Sequence, residues 1–295
     1  MASPTEGVAL GVAATCIWGM FPLLFKTVAH IPALEVLAHR SAWSLAFATL
    51  LMVLAGRWRE IGQRSFYALR TLKIMALSGL AVALNWGIFI WAVAHDQVLQ
   101  SSLGYYISPL MSVVLGVVIL RERLNVWAWG AVALAASGVG VLVISFAMVP
   151  WVALGLASSW AIYGLVRKTA PVGSLPGLYL ETLLLLPMAL GYMAWVYGAS
   201  GETASTWSWG DGGLMALTGL ATALPLLLFA RAARILKLST IGLLMYIVPT
   251  GQFALAVFIF REPFTQAHLT AFILIWIGLA IYGWSSSRTR IPGGG

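Results

Sequence analysis

The chain has 295 residues, of which 61% are hydrophobic and 9% are charged, and its mean hydropathy is +0.93. Soluble domains have roughly 45–50% apolar and about 25% charged residues, so this composition excludes a soluble globular protein. The net charge of +8 is better explained by basic loops on the cytoplasmic side of a membrane than by binding to nucleic acid. We therefore expect the lipid bilayer as a partner and no nucleic acid.

The apolar residues are grouped into segments long enough to cross a bilayer, which takes about 20 residues per helix. Ten segments qualify, and no connection between them is long enough for a soluble domain. They cover roughly residues 7–27, 33–55, 72–94, 99–120, 124–146, 150–167, 175–197, 212–232, 238–260 and 264–285. This pattern predicts an all-α polytopic membrane protein with ten transmembrane helices.

The two halves of the chain resemble each other at an offset of 140 residues. Residues 106–109 read Tyr-Ile-Ser-Pro and lead to Arg-Glu at 121–122. Residues 246–249 read Tyr-Ile-Val-Pro and lead to Arg-Glu at 261–262. A colinear series of matches of this length indicates an internal repeat. Gene duplication without a role in transport is the alternative interpretation.

Five helices per half is an odd number, so the repeats 1–148 and 149–295 are predicted to lie in opposite orientations. Inverted repeats recur in secondary transporters, which hold their substrate near the membrane midplane between the repeats. Most of the 17 Lys and Arg residues fall in loops on the same side as both termini. The positive-inside rule therefore places both termini in the cytoplasm.

Prolines within the predicted spans are candidate hinges. They are Pro22, Pro109, Pro225 and Pro249. Each proline removes a backbone hydrogen bond and tends to kink its helix. Because Pro109 and Pro249 are related by the repeat, we expect matched kinks in the fourth and ninth helices. Static packing geometry is the alternative to a hinge.

Ionisable residues in or near the spans are candidates for substrate attraction or proton coupling. They are Lys26, Glu35, His39, Arg40 and Glu181. Glu35 and His39 are four residues apart and share a helix face, and Lys26 is expected near enough to pair with Glu35. Structural pairing is the alternative, because long side chains near the external end of a span can reach the membrane interface.

Polar aromatic side chains and one amide at mid-span depth are candidates for lining a substrate cavity. They are Trp18, Asn85, Trp86, Tyr105, Tyr106, Tyr163 and Tyr246. Asn85 can both donate and accept hydrogen bonds, so it could meet an amino or a carboxylate group of a substrate. Aromatic rings with a polar atom suit amphipathic organic molecules. Packing within the helix bundle is the alternative role.

Several chemical motifs do not occur in the sequence. There is no G-x-x-x-x-G-K-[ST] phosphate loop, so we expect no ATP-driven transport by this chain and no ATPase subunit. There is also no H-E-x-x-H and no G-x-S-x-G, and four His and one Cys do not form a metal motif. We therefore predict no catalytic residue, no metal and no cofactor.

Motifs along nearly the whole chain resemble the RarD-type branch of the drug/metabolite transporter superfamily. They lie at residues 17–22, 25–26, 35–40, 85–86, 103–110, 120–124, 163–168 and 180–183. The Arg-Glu ends of the fourth and ninth helices resemble the EamA-type repeat. The resemblance implies a ten-helix exporter with inverted halves in a bacterial inner membrane. It also implies a cavity lined mainly by the first, third, fourth, sixth, eighth and ninth helices.

Members of this superfamily include amino-acid exporters, among them the YddG type for aromatic amino acids, and proteins named only for drug sensitivity. The resemblance therefore leads us to expect a secondary or facilitative transporter that exports amino acids, with aromatic ones among the candidates, by alternating access. An exporter of drugs or other small metabolites and a small-molecule channel are the alternatives. The energy coupling is open between facilitated diffusion and proton antiport through Glu35, His39 or Glu181.

Overall fold

The computed structural model describes residues 4–62, 66–121, 125–199, 209–235 and 244–288, and its regular elements in these ranges are helices, with no strand among them. The first half contains α1 (Pro4–Gly19), α2 (Phe21–Thr27), α3 (Ala33–Leu54), α4 (Leu69–Ala94), α5 (Val98–Leu120) and α6 (Val126–Phe146). The second half contains α7 (Trp151–Thr169), α8 (Ser174–Ala199), α9 (Trp209–Ile235), α10 (Ile247–Ala254) and α11 (Gln266–Arg288). The predicted all-α class is confirmed.

Five helical segments of the described chain are long and apolar enough to cross a membrane, and α5 is a sixth if it is counted through its bend. The five are Thr5–Thr27, Ala33–Leu54, Leu69–Ala94, Val126–Ser145 and Leu175–Gly198. This confirms a polytopic membrane protein. The count of ten spans stays a prediction, because the start of the ninth predicted span lies outside the described residues.

Helices of the first half pack mainly against helices of the second half. α6 lies along α11, and α3 lies along α8. α1 packs against α9, α4 against α7, and α5 against both α7 and α10. The surface between the halves is therefore the main packing surface of the protein, and polar side chains on it can meet partners that are distant in the sequence.

Two prolines of the first half coincide with irregular helix geometry. Pro22 follows a break between α1 and α2 at Met20, whose N–H still bonds the carbonyl of Cys16 at 3.0 Å. In α5, the axes of Val98–Ser108 and Leu110–Ile119 differ by 41°, with Pro109 between them. Pro22 lies in the first turn of α2, where a proline takes away no intrahelical hydrogen bond, whereas Pro109 removes one from the interior of α5, which accounts for the bend there.

The two candidate hinge prolines of the second half, Pro225 and Pro249, are placed differently in their helices. α9 continues through Pro225. Pro249 lies in the first turn of α10, after a turn at Met245 and Tyr246. A first turn needs no intrahelical N–H partner, so Pro249 is compatible with the start of a helix. The break thus precedes Pro249, whereas α5 bends at Pro109, and the expectation of matched kinks in the two helices stays a prediction. A hinge function of the four prolines stays a prediction.

The Arg-Glu pair after α10 has a role that the sequence did not indicate. The Glu262 carboxylate accepts hydrogen bonds from the backbone N–H groups of Val98 at 2.7 Å and Leu99 at 2.8 Å. These groups belong to the first turn of α5, which has no intrahelical acceptors for them. Burial raises the pKa of the Glu262 carboxyl, and the two N–H donors oppose that rise. Glu262 therefore ties the loop before α11 to the start of α5.

Both arginines of the repeated pairs have the same unusual backbone conformation. Arg121 ends α5 with φ of 55°, and Arg261 follows the π-helical turn Leu255–Ile259 with φ of 54°. A non-glycine residue in this left-handed region is uncommon and ends a helix. The partner of Arg121 in the sequence, Glu122, lies outside the described residues.

We predict that Gly104→Ala destabilises the contact between α5 and α7. An added Cβ would lie 2.7 Å from the carbonyl oxygen of Ala153 and 3.0 Å from its Cα. Backbone atoms cannot move aside as a flexible side chain can, so we expect a loss of about 1–3 kcal/mol. The measurement is thermal unfolding of the purified protein in detergent.

Gly130→Ala is the matched control, because a Cβ at Gly130 in α6 meets nothing within 4 Å. Its unfolding temperature should equal or exceed that of the wild type, since Ala favours a helix more than Gly does. Equal unfolding temperatures for the two variants would contradict the close approach of α5 and α7.

Candidate functional site

A polar cluster connects the middle of α4 with α5 and α7. Asn85 is fully buried, and its Nδ2 donates to the carbonyl oxygen of Leu156 and to Ser159 Oγ, both at 3.0 Å. The Tyr105 hydroxyl donates to Asn85 Oδ1 at 3.1 Å. Both ends of the amide thus have partners within the protein, and these partners hold three helices in a fixed relative position.

A buried arginine lies beside this cluster. Arg40 of α3 is 3% exposed, and its Nε donates to Thr222 Oγ1 of α9 at 3.0 Å. The guanidinium carbon lies 4.3 Å from the centre of the Trp86 ring. Tyr105, which donates to Asn85, is near enough to interact electrostatically with Arg40, so Arg40 adjoins the hydrogen-bonded group. We call the set Arg40, Asn85, Trp86, Tyr105 and Ser159 the central cluster.

A row of aromatic rings leads from the central cluster towards a buried carboxylate. Tyr105 and Trp160 meet edge to face with ring centres 6.3 Å apart, and Trp160 and Tyr163 are 5.5 Å apart. Tyr163 is close enough to interact with the carboxylate of Glu181. Tyr163 and Glu181, predicted independently from the sequence, are therefore connected to Asn85 through Trp160, which the sequence analysis did not single out.

Glu181 is held by residues of α4 and α7. Ser78 Oγ donates to Glu181 Oε1 at 2.5 Å, and Arg167 Nη1 lies 3.5 Å from the same oxygen. Oε2 is buried and has no hydrogen-bond acceptor or donor among the described residues. Glu181 is therefore a buried carboxylate with one oxygen that can take up a proton without the loss of an existing hydrogen bond.

A second carboxylate lies near the start of α3, at the end of the bundle where α8 finishes. The Tyr197 hydroxyl donates to Glu35 Oε1 at 3.0 Å and lies 2.7 Å from His39 Nε2. Glu35 is 1% exposed, and its Oε2 has no partner in the described chain. The predicted shared face of Glu35 and His39 is real, and Tyr197 bridges them. Tyr197 carried no signal that set it apart from other aromatic residues near span ends.

The expected pairing of Lys26 with Glu35 is wrong. Lys26 Nζ instead pairs with Asp96 and donates to the carbonyl oxygen of Val93 at 3.3 Å. Lys26 ends α2 beside the end of α4, whereas Glu35 points towards α8. Lys26 therefore joins two neighbouring helix ends at the surface and is not part of the buried carboxylate group.

The remaining aromatic candidates form separate groups. Tyr106 and Tyr246 stack with ring centres 6.5 Å apart, and the Tyr106 hydroxyl lies 2.6 Å from Thr250 Oγ1. Trp18 packs against Phe229 at 5.4 Å. Tyr105 and Tyr106 are adjacent but lie on different faces of α5, because successive residues of a helix point about 100° apart. The seven candidates at similar predicted depth thus divide into the group around Asn85 and Tyr105, the pair Tyr106 and Tyr246, and Trp18 beside Phe229.

Comparison with known proteins identifies the family of this chain. Residues 5–145 match the model of the EamA-like transporter family. An uncharacterized transporter of Pseudomonas aeruginosa is 42% identical over 97% of each chain. The protein RarD of Streptomyces exfoliatus is 40% identical and covers 96% of this chain and 90% of its own. The chain belongs to the RarD-type branch of the drug/metabolite transporter superfamily.

A solved crystal structure has the same fold as this RarD-type chain. The two align with a TM-score of 0.60 over 95% of this chain and 97% of the other, at 17% sequence identity. The relatives at 42% and 40% identity confirm the family resemblance stated from the sequence, and this structure confirms the fold. The RarD-type protein is a multi-pass transporter of the bacterial inner membrane, and the central cluster lies in its interior.

We predict that the hydrogen bond between Tyr105 and Asn85 is energetically coupled. Tyr105→Phe and Asn85→Ala should each destabilise this RarD-type protein, and the double variant should lose less than the sum, with a coupling of about 1 kcal/mol. Unfolding by SDS from mixed micelles measures the cycle.

The matched control is the cycle of Asn85→Ala with Tyr246→Phe, since Tyr246 lies in the other aromatic group. The effects of these two substitutions on the free energy of unfolding should add. Additive effects of Asn85 and Tyr105 would show that the bond does not form in the membrane protein in solution.

Proposed function

We propose that this RarD-type transporter exports amino acids, with aromatic ones among them, as a secondary or facilitative transporter. The observation that carries the proposal is the composition of the central cluster. Aromatic rings, an amide and a cation lie together there on α3, α4 and α5 of the first half, beside Ser159 of α7 in the second half. A free amino acid combines an apolar side chain with two charged groups, and such a set of side chains offers complementary contacts to each part.

The helix pairings support the proposal of two inverted repeats of five helices, residues 1–148 and 149–295. A two-fold axis between such repeats would exchange α1 with α7, α3 with α8, α4 with α9, α5 with α10 and α6 with α11. The α1–α9 contact then corresponds to α7–α4, the α5–α7 contact to α10–α1, and the α3–α9 contact to α8–α4. All of these pairs occur. It would also map α6–α11, α3–α8 and α5–α10 onto themselves, and these pairs occur too. We place both termini in the cytoplasm, on the distribution of the basic residues.

Two buried carboxylates support proton coupling as one mode of energy supply. Glu35 lies near the start of α3 and Glu181 near the start of α8, and these helices would be exchanged by the same two-fold axis. Each carboxylate has one oxygen without a hydrogen-bond partner among the described residues. Glu35 and Glu181 would then accept protons at opposite ends of the bundle. Facilitated diffusion remains the alternative mode.

We predict that proteoliposomes containing the purified protein take up labelled phenylalanine and other amino acids faster than empty liposomes do. Alternating access requires that the unlabelled amino acid on the opposite side accelerates this flux, because the loaded carrier returns. A small-molecule channel would show no such acceleration. Absence of amino-acid flux would contradict the proposal and favour an exporter of drugs or other metabolites.

An imposed pH gradient in the same vesicles distinguishes the two modes of energy supply. With proton antiport, the gradient drives accumulation in wild type, and Glu181→Gln or Glu35→Gln abolishes the drive while exchange of unlabelled for labelled substrate continues. Arg59→Met, at an exposed position in a loop, is the control and should behave as wild type. A wild type that does not respond to the gradient is a facilitator.

A further inference from the structure

Arg40 is a buried cation whose surroundings in the protein leave part of its guanidinium group without a partner. Its Nε donates to Thr222 Oγ1, but its Nη1 is buried and has no hydrogen-bond acceptor. Thr222 is itself engaged, since its hydroxyl donates to the carbonyl oxygen of Thr218 at 3.0 Å. A guanidinium carries five N–H donors in a planar fork that matches a carboxylate, and this one is incompletely used.

No carboxylate of the described residues forms an ion pair with Arg40. The acidic side chains that form ion pairs in the described part of the chain have other partners: Asp96 pairs with Lys26, Asp211 with His30, Glu60 with Arg57 and Glu181 with Arg167. Three aromatic rings enclose the charge instead, with the guanidinium carbon 4.3 Å from Trp86, 5.0 Å from Phe25 and 5.5 Å from Phe21. Cation–π contacts offset only part of the cost of removing a charge from water. A charge kept inside a membrane protein at such a cost marks a functional site by default.

The position of Arg40 fits a substrate site between the two halves. Its contacts come from α2, α4 and α9, so helices of both halves meet at the guanidinium. Asn85 and Tyr105 of the central cluster are close by, and Tyr105 is near enough to interact electrostatically with Arg40. An anion bound at Arg40 would therefore have aromatic rings and hydroxyl groups beside it.

Two of the three rings that enclose Arg40 belong to one short helix. Phe21 and Phe25 both belong to the short helix α2, which is separated from α1 by the break at Met20. The same segment carries Pro22, one of the candidate hinges.

We propose that Arg40 binds the carboxylate group of the transported molecule, an inference that rests on the proposed function of amino-acid export and specifies its substrate class. The substrates are then small organic acids or zwitterions with a free carboxylate. Amides, esters and amines of the same shape are excluded, because they leave the buried cation unpaired. A site built for a charged group discriminates strongly against analogues that lack it.

The test compares matched substrates in proteoliposomes of wild type, Arg40→Met, Arg40→Lys and the control Arg59→Met. L-Phenylalanine and L-phenylalaninamide have the same side chain, and a neutral amide replaces the carboxylate in the second; the flux of each into empty liposomes is subtracted. Wild type and Arg59→Met should carry the acid at least about tenfold faster than the amide, and Arg40→Met should lose this preference. Arg40→Lys keeps the charge without the planar fork and should retain part of the preference.

Thermal unfolding separates this role from a purely structural one. Replacement of an unpaired buried charge by an apolar side chain of similar length is expected to leave the unfolding temperature unchanged or to raise it. Arg40→Met should therefore be as stable as wild type while it loses transport of the acid. If Arg40→Met is too unstable to purify, the same comparison is made with Arg40→Lys. Equal acid preference in wild type and the Arg40 variants overturns the proposal.

A second measurement keeps the proposal independent of amino-acid export. If wild type carries neither phenylalanine nor its amide, the proposed function fails, and the purified proteins are then melted with 3-phenylpropionate and with 3-phenylpropionamide. A rise in unfolding temperature with the acid in wild type that disappears in Arg40→Met supports a carboxylate site without amino-acid transport. A rise of equal size in both proteins, or no rise in either, overturns the assignment of Arg40.

Discussion

Polar groups inside a bilayer must find their partners within the protein, because the hydrocarbon offers none. In this transporter many of these partners lie in the opposite half of the chain. Glu262 satisfies the first N–H groups of α5, and Ser102 Oγ donates to the carbonyl oxygen of Pro249 at 2.8 Å. Asn85 bonds to α7, and Tyr197 bonds to Glu35. The two halves are therefore joined by a small number of buried hydrogen bonds set in apolar contacts, and relative movement of the halves must exchange or conserve them.

Arg40 departs from this rule, because one nitrogen of its buried guanidinium has no hydrogen-bond partner. Asn85 has partners at both ends of its amide, and the charge of Glu181 is paired with Arg167, although Glu181 Oε2 has no hydrogen bond in the described chain. The guanidinium of Arg40 is buried against rings with one nitrogen unbonded. A bound anion would pair with this positive charge. The charge therefore distinguishes this site from a cavity that selects molecules by apolar shape alone.

The sequence predicted the class and the approximate segments well, because apolar runs of bilayer length are a strong signal. It did not predict which side chains meet. Tyr105 and Tyr106 lie at the same depth, but Tyr105 contacts Asn85 and Tyr106 contacts Thr250. Helices that are apolar on all sides show little hydrophobic periodicity, so the sequence does not indicate which face each residue occupies. Lys26 was expected near Glu35 because both lie at the same end of their spans. In the structure the neighbouring helices supply other partners: Lys26 pairs with Asp96 after α4, and Glu35 bonds to Tyr197 of α8. Tyr197, Thr222 and Trp160 were missed since each became significant only through a contact from a distant helix.

The central claim is that the two halves have opposite orientations with the central cluster between them. It is tested most directly by cysteine labelling at the repeat-related positions Arg121 and Arg261, both exposed, in a chain where Cys16 has been replaced by serine. A membrane-impermeant maleimide is applied to intact cells and to permeabilised cells. The account predicts that Arg261→Cys is labelled in intact cells and that Arg121→Cys is labelled only after permeabilisation. Labelling of both positions from the same side would contradict the inverted arrangement.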